Sequence, residues 1–398
     1  MPRETSRGGL PSPGALREPH IGYGQVPTDP PPHGPRLHQG GSVRPIRVLV
    51  VDDSSFNRKI ISEILEGSGQ VEVVGKAFDG EDALQKILRL QPDVMTLDLE
   101  MPNMDGFAVL RWVMANRPMP VIVVSARESD RSVFKALDLG AVDFVVKPTR
   151  TASPELKNME AELLAKILSI PSLKLDRVRK RLDAAAPMPP DPPPQARGAR
   201  RAEVVALAAS TGGPPAVQRI LQGLSKKILS PILVCQHMPP VFTRLFAERL
   251  QGLTGRTVHE AVDGEVLASR TVYIAPGGRQ TRLGHQGQQV VLRVTERRAE
   301  DRFAPCANIL LASLAEIYGK NCLCAVLTGM GDDGTEGARA VHGAGGIVLA
   351  ESETSAVIYG MPKEVVRAGV ADHVGDLEGI TDLINRNAIL EENSLQSP

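Results

Sequence analysis

Two groups of residues with the makings of chemistry stand along this 398-residue chain, and each collects at the ends of short apolar runs. The first is acidic: Asp52 and Asp53 follow IRVLVV, Asp98 ends DVMTLDL, Ser125 ends PVIVVS and Lys147 follows AVDFVV. Three carboxylates brought within a few ångströms cannot all stay ionised without a cation, because each disfavours its neighbours' charge. Magnesium answers this need with one or two carboxylates, a carbonyl and waters, and leaves room for phosphoryl oxygens. Asp98 would then attack phosphorus, Lys147 would face the charge on the phosphoryl oxygens, and Ser125 would donate its hydroxyl to them. Each residue alone fits an ordinary helix cap or loop end. Five on one edge read as a site.

The second group suits acyl transfer. Ser210 lies in AASTGGPP, His237 in CQHMPP, and Asp332 and Asp333 in LTGMGDDG. A serine at a strand-to-helix turn, followed by glycines that permit close backbone approach, meets amides able to hold an anion. His237 would take the serine proton, and an aspartate would orient the imidazole and stabilise its charged form. Either Asp332 or Asp333 suits that role, and the other caps the helix opening at Gly334. The order Ser, His, Asp differs from the Ser, Asp, His order of α/β-hydrolases. An α/β-hydrolase reading would instead use His342 or His373.

The elements that must carry these residues are legible from periodicity. Between Ile46 and Pro148, β-branched runs alternate with amphipathic ones, which implies five strands in a parallel, doubly wound sheet with ligands at the strands' carboxyl ends. From Glu203 to about Val374 the alternation resumes with EVVALAAS, PILVCQ, TVYIAP, QVVLRV, CLCAVLTG and GIVLA as strands. The fold class expected is therefore α/β, with two doubly wound parallel-sheet domains, the second Rossmann-like. The boundaries expected are a disordered extension over 1–44, a first domain over 45–150, a linker over 151–202, a second domain over 203–385 and a flexible tail over 386–398. Within the linker, the apolar spacing from Leu156 to Leu168 predicts a helix, and AAAPMPPDPPPQARGAR a semi-extended spacer.

Composition narrows the classes of function. With 46 basic and 46 acidic side chains and only 3% aromatics, no global field or stacking surface favours nucleic acid. A transcriptional regulator would need a basic recognition helix, and only VRKRLD offers one, directly before Pro-rich sequence. No apolar run approaches a membrane span and the amino terminus lacks a signal peptide's core, so a cytoplasmic protein without membrane insertion is expected. Cys235, Cys306, Cys322 and Cys324 show no C-x-x-C spacing and read as reduced thiols buried in strands.

The first domain resembles response-regulator receivers, on VDDS at Val51 to Ser54, DLEMPNMDG at Asp98 to Gly106, VSA at Val124 to Ala126, and KP at Lys147 and Pro148. The resemblance implies a flavodoxin-like receiver that takes a phosphoryl group from a histidine kinase onto Asp98. Asp52, Asp53, Asp98 and the carbonyl of Glu100 would hold Mg2+, and Ser125 and Phe144 would rearrange on phosphorylation. The second domain resembles the catalytic domain of the chemotaxis protein-glutamate methylesterases, on ASTGGP, QHMP, FTRLFAERL, VYIAPGG, LTGMGDDG and GMP. That resemblance implies Ser210 as nucleophile, His237 as base, Asp333 as third member, and oxyanion contacts at Thr211 and Met330. It further implies hydrolysis of glutamate γ-methyl esters on methyl-accepting chemoreceptors, with deamidation of receptor glutamines, in a monomer that needs no cofactor for the hydrolysis.

Two segments depart from the methylesterase pattern. Arg279 and Gln280 stand where a histidine often follows the glycines, and APCANILL at Ala304 to Leu311 replaces a segment that often reads proline, small residue, valine, aspartate. Altered substrate contacts are the expectation at both. They also motivate a second reading, a non-enzymatic module that binds when phosphorylated, against which Ser210, His237 and Asp333 all stand intact.

Overall fold

Helix starts in the first domain are fixed by side-chain caps. Ser54, Asp79 and Asp105 each accept a hydrogen bond from the amide three residues on, opening α1 (Ser55–Glu66), α2 (Gly80–Leu90) and α3 (Gly106–Asn116). A computed structural model describes residues 44–125, 130–147, 154–173, 175 and 201–389. The extension, the Pro-rich spacer and the basic VRKRLD segment fall outside the described residues. The five expected strands are present as β1 (Ile46–Val51), β2 (Val71–Ala77), β3 (Val94–Leu97), β4 (Val121–Ser125) and β5 (Asp143–Val146). They form a parallel sheet in the order β2-β1-β3-β4-β5. The order turns back between β1 and β3, and Asp52, Asp53 and Asp98 lie at that switch point.

Helices α4 (Asp130–Asp138) and α5 (Pro154–Leu168) complete this layer. The helix drawn with the linker packs on the first sheet: Met159, Leu163 and Ile167 are buried among Val48, Val50, Ile61, Leu65 and Val145. A 3-10 turn at Ile170–Ser172 ends it.

The second domain is a seven-stranded, wholly parallel sheet in the order β14-β13-β12-β6-β7-β9-β8. Its strands are β6 (Val204–Ala209), β7 (Ile232–Gln236), β8 (Thr257–Glu260), β9 (Thr271–Ile274), β12 (Cys322–Val326), β13 (Ile347–Glu351) and β14 (His373–Gly375). Helices α6 (Gly213–Gly223), α7 (Phe242–Thr254), α8 (Ala307–Tyr318), α9 (Thr335–Gly343), α10 (Met361–Arg367) and α11 (Leu377–Asn387) cover it. QVVLRV does not join this sheet. It forms β11 (Gln289–Glu296), paired antiparallel with β10 (Arg279–Gln286), a strand whose polar alternation hid it from the apolar-run criterion. The chain stays ordered past 385: Leu229 donates its amide to the Ile389 carbonyl at 2.7 Å, and Ala202 donates to that of Asn387 at 2.7 Å.

Leu163 is wholly buried between α5 and the first sheet. Leu163→Ala is therefore expected to cost about 2–5 kcal/mol, measured as a lowered urea midpoint for the first domain's transition.

Candidate functional site

At the carboxyl end of the first sheet, Asp52 and Asp98 are buried while Asp53 is exposed, and a ligand oxygen from each lies within 4.8 Å of the others. Lys147 sits among them, its Nζ 2.5 Å from Asp98 Oδ2 and 2.9 Å from Asp52 Oδ2. Burial pushes the Asp98 carboxyl above its ordinary value, and Lys147 offsets only part of that rise. Burial alone would lower Lys147, but Asp52 and Asp98 outweigh it and hold the ammonium charged. Glu100 is exposed and donates its amide to Asp98 Oδ1 at 3.3 Å. Ser125 and Phe144 are both buried.

In the second domain the serine turn is set by its neighbours. Ser210 donates its amide to the Thr328 carbonyl at 3.0 Å and accepts from Gln236 Nε2 at 2.9 Å through its own carbonyl. Gly212, at φ 75°, lies in the left-handed region and opens α6. Gly329 lies so close that a Cβ there would stand 2.7 Å from the Ser210 Cβ, so only glycine lets LTGMG pass the serine. His237 donates its amide to Ala209 at 3.0 Å, which places it beside Ser210 at the adjoining strand end. Its Nε2 lies 2.7 Å from Asp333 Oδ2.

Asp333 is 2% exposed and fully partnered. Ala307 donates its amide to Oδ2 at 2.7 Å, while the amides of Asn308 and Gly334 each reach Oδ1 at 3.0 Å and the Cys306 thiol reaches it at 3.2 Å. Burial raises this carboxyl, but the His237 contact and the α8 amides outweigh it and hold the group below its ordinary value. Asp332, by contrast, is exposed and pairs with exposed Arg302 at 3.0 Å. His342 lies half-exposed 3.8 Å from Asp372 and His373 sits exposed on β14, so neither joins Ser210. The structure thus brings Ser210, His237 and Asp333 to one sheet edge and leaves Asp332 outside.

The first domain lies against this edge. Thr211 donates its hydroxyl to Asp143 Oδ2 at 2.6 Å, a buried contact between the residue after Ser210 and the first residue of β5. Asp143 is in turn held by Lys166 Nζ of α5 at 3.1 Å and accepts the Phe144 amide at 2.8 Å. Phe144 packs on Phe242 with centroids 4.7 Å apart, Phe134 stacks on Phe246 at 5.8 Å, and Arg249 pairs with Asp138 at 2.7 Å. Met330 packs with Val142, Val357 and Ile358. Both oxyanion candidates therefore lie under the first domain.

A family model described as CheB methylesterase matches residues 205–384, and one described as response regulator receiver domain matches 48–158. A protein-glutamate methylesterase/protein-glutamine glutaminase of Geobacter sulfurreducens is 44% identical over 369 residues, covering 88% of this chain and all of the relative. The chain belongs to the CheB methylesterase family. A second member, from Myxococcus xanthus, is 45% identical over 333 residues, covering 83% of this chain and 93% of its own. A crystal structure of the Thermotoga maritima CheB methylesterase catalytic domain is 38% identical, with a TM-score of 0.45 over 46% of this chain and 97% of that one. The receiver family implies a Mg2+ site, and three hard carboxylates gathered around one lysine are a donor set that fits it. Among the described residues no helix is long and apolar enough to cross a membrane.

Two expectations change within this CheB-family site. Gln280 is 4% exposed and bonded to the segment before α8, so its effect on a substrate is indirect. Cys306 lies in no strand: it precedes α8 and donates to Asp333, its thiol pushed by burial to about 12. Asp143, Lys166 and Phe303 were not among the expected functional residues. Asp143 did carry a signal, a carboxylate inside the otherwise apolar run AVDFVV.

A carboxyl whose folded pKa is depressed contributes stability that is complete above its unfolded value and is lost as pH falls through the folded one. Asp333 lies below 3.8 when folded. Asp333→Asn is therefore expected to flatten the loss of stability between about pH 5 and pH 2, measured by urea midpoints at stepped pH.

Proposed function

We propose that Ser210, His237 and Asp333 are the triad by which this chain, a receiver-linked protein-glutamate methylesterase and protein-glutamine glutaminase, hydrolyses side-chain esters and amides of chemoreceptors. The observation that carries the assignment is the 2.7 Å contact between His237 Nε2 and the buried Asp333. That contact commits the Nε2 edge, so the Ser210 proton goes to Nδ1. Ser210 Oγ bonds to the γ-carbonyl carbon while His237 takes its proton, and Asp333 stabilises the imidazolium. Gly213 already donates to the Ser210 carbonyl and Pro214 and Pro215 carry no N–H, so the backbone amides of Thr211 and Met330 are the ones that would meet the resulting oxyanion. Collapse breaks the bond to methoxide, which leaves as methanol with the His237 proton; a glutamine loses ammonia in the same way. Water, deprotonated by His237, then attacks the acyl carbon; the bond to Ser210 Oγ breaks, Oγ takes back the proton from His237, and the receptor glutamate side chain is released.

Asp98 is the phosphoacceptor in this reading. Asp52, Asp53, Asp98 and the Glu100 carbonyl would hold Mg2+, which supplies positive charge for phosphoryl oxygens. Lys147 and Ser125 meet the same oxygens, and a histidine kinase is the donor. The unphosphorylated receiver restrains the hydrolase by covering it. With its hydroxyl held by Asp143, Thr211 cannot turn toward a substrate, and Phe144 is seated on α7. Strand β5 carries Asp143 and Phe144 and runs to Lys147, so a change at the phosphoryl site reaches the cover through one element.

Ser210→Ala is expected to lower methanol release from methylated receptor by roughly 10⁶-fold; surviving activity would remove Ser210 from the triad. Acetyl phosphate with magnesium should raise activity in the parent chain and leave Asp98→Asn unchanged. Arg249→Glu, which sets like charge against Asp138, should raise the unphosphorylated rate by about two- to fivefold. An unchanged basal rate would mean that this face does not hold the receiver down.

A further inference from the structure

One short segment, from Asp301 to Asn308, reaches two members of the triad at once. Its end supplies Cys306, Ala307 and Asn308 to the Asp333 carboxylate. Its beginning places the Phe303 ring flat against His237, with centroids 4.6 Å apart and planes 8° from parallel. The Asp333 contact at Nε2 holds the imidazole at one point and still permits the ring to swing out of plane about it. A parallel aromatic face removes that freedom, because tilting the imidazole would break the stacked contact or drive the two rings together.

Phe303 is itself pinned from behind. Gln280, buried on β10, donates from Nε2 to the Phe303 carbonyl at 2.7 Å and to Asp301 Oδ2 at 3.0 Å, and accepts the Cys306 amide at 3.0 Å through Oε1. Gly278 donates its amide to Ala304 at 3.0 Å. Every hydrogen-bonding group of the Gln280 amide tip thus grips the backbone or side chains flanking Phe303. The outer face of the ring carries the Arg302 guanidinium at 5.1 Å, tied to Asp332. That pair is exposed on both sides, and exposed pairs contribute little, so the buried amide does most of the holding.

We propose that Phe303 is a positioning residue for the hydrolysis, fixing the plane of the catalytic imidazole, and that Gln280 fixes Phe303. This rests on His237 being the base. A tilted imidazole still binds substrate but presents Nδ1 poorly to Ser210, so the loss falls on turnover rather than on binding.

The test uses the full chain activated with acetyl phosphate and magnesium, with methanol release from methylated receptor giving kcat and KM. Phe303→Leu should lower kcat by roughly tenfold with KM within about twofold of the parent, and should slow fluorophosphonate labelling of Ser210 in parallel. Phe303→Tyr keeps the flat ring and should stay within about twofold of the parent. Gln280→Leu should lower kcat as well, and the double variant should fall no lower than Phe303→Leu alone, since both act on one ring. If the leucine chain does not fold, Phe303→Met, similar in bulk but without a flat face, takes its place. The proposal is overturned by an unchanged kcat in Phe303→Leu, by a loss that lies in KM, by a tyrosine variant as impaired as the leucine, or by Gln280 and Phe303 losses that multiply. An active His237→Ala chain overturns the triad itself. An inactive His237→Ala beside an unimpaired Phe303→Leu overturns only the placement of Phe303.

Discussion

The buried carboxylate of Asp143 is the interaction on which the arrangement of the two domains turns. A charge in the first position of a buried strand is costly unless it is paired and its lone pairs are filled. Here Lys166 supplies the countercharge from α5, the Phe144 amide fills one oxygen, and the Thr211 hydroxyl fills the other from across the interface. Lys166 is itself bonded to Glu162 at 2.7 Å and to the Phe144 carbonyl at 2.5 Å, and Asp143 and Glu162 hold its ammonium above the ordinary value despite burial. Without Thr211, Asp143 Oδ2 would need water or another donor. The receiver surface is thus finished only when it meets the hydrolase or is wetted.

Asp98 and Asp333 meet the same problem of carboxylate burial and come out on opposite sides. Asp98 shares its neighbourhood with Asp52, so its own burial and its neighbour's charge both disfavour ionisation, and one lysine does not fully compensate. The site is left short of positive charge, which suits a place built to take up a cation. Asp333 is instead surrounded by donors, from the amino terminus of α8 and from His237. Those donors hold it below its ordinary value, which suits the orienting role proposed for it beside His237.

Much of this is legible in the sequence itself. The five strands of the first sheet and the placement of Asp52, Asp98, Ser125 and Lys147 at their ends follow from apolar runs and period alone, because a buried parallel strand must be nearly continuous in apolar residues. What stayed hidden has physical reasons. Strand β10 alternates polar residues because one of its faces meets solvent, β8 is half polar (TVHE), and β14 has only three residues. The choice between Asp332 and Asp333 could not be made from adjacency, since it depends on which carboxylate points under α8. Gln280 suggested an altered substrate contact because nothing in a single sequence tells a buried amide from an exposed one.

The seam between the domains was the least legible part, and its chemistry explains why. Its apolar members, Phe134, Phe144, Phe242 and Phe246, look like core residues of their own domains, and they are also that. Side chains that serve a domain core and an interface together carry no extra mark in the sequence. The polar members do: Asp143 interrupts an apolar strand, and an uncompensated charge there would be excluded by its desolvation cost. A charged residue in the middle of a buried run is therefore evidence for a partner that the local pattern does not contain. In this chain that partner came from two places, α5 behind the sheet and the turn beside Ser210 in front of it.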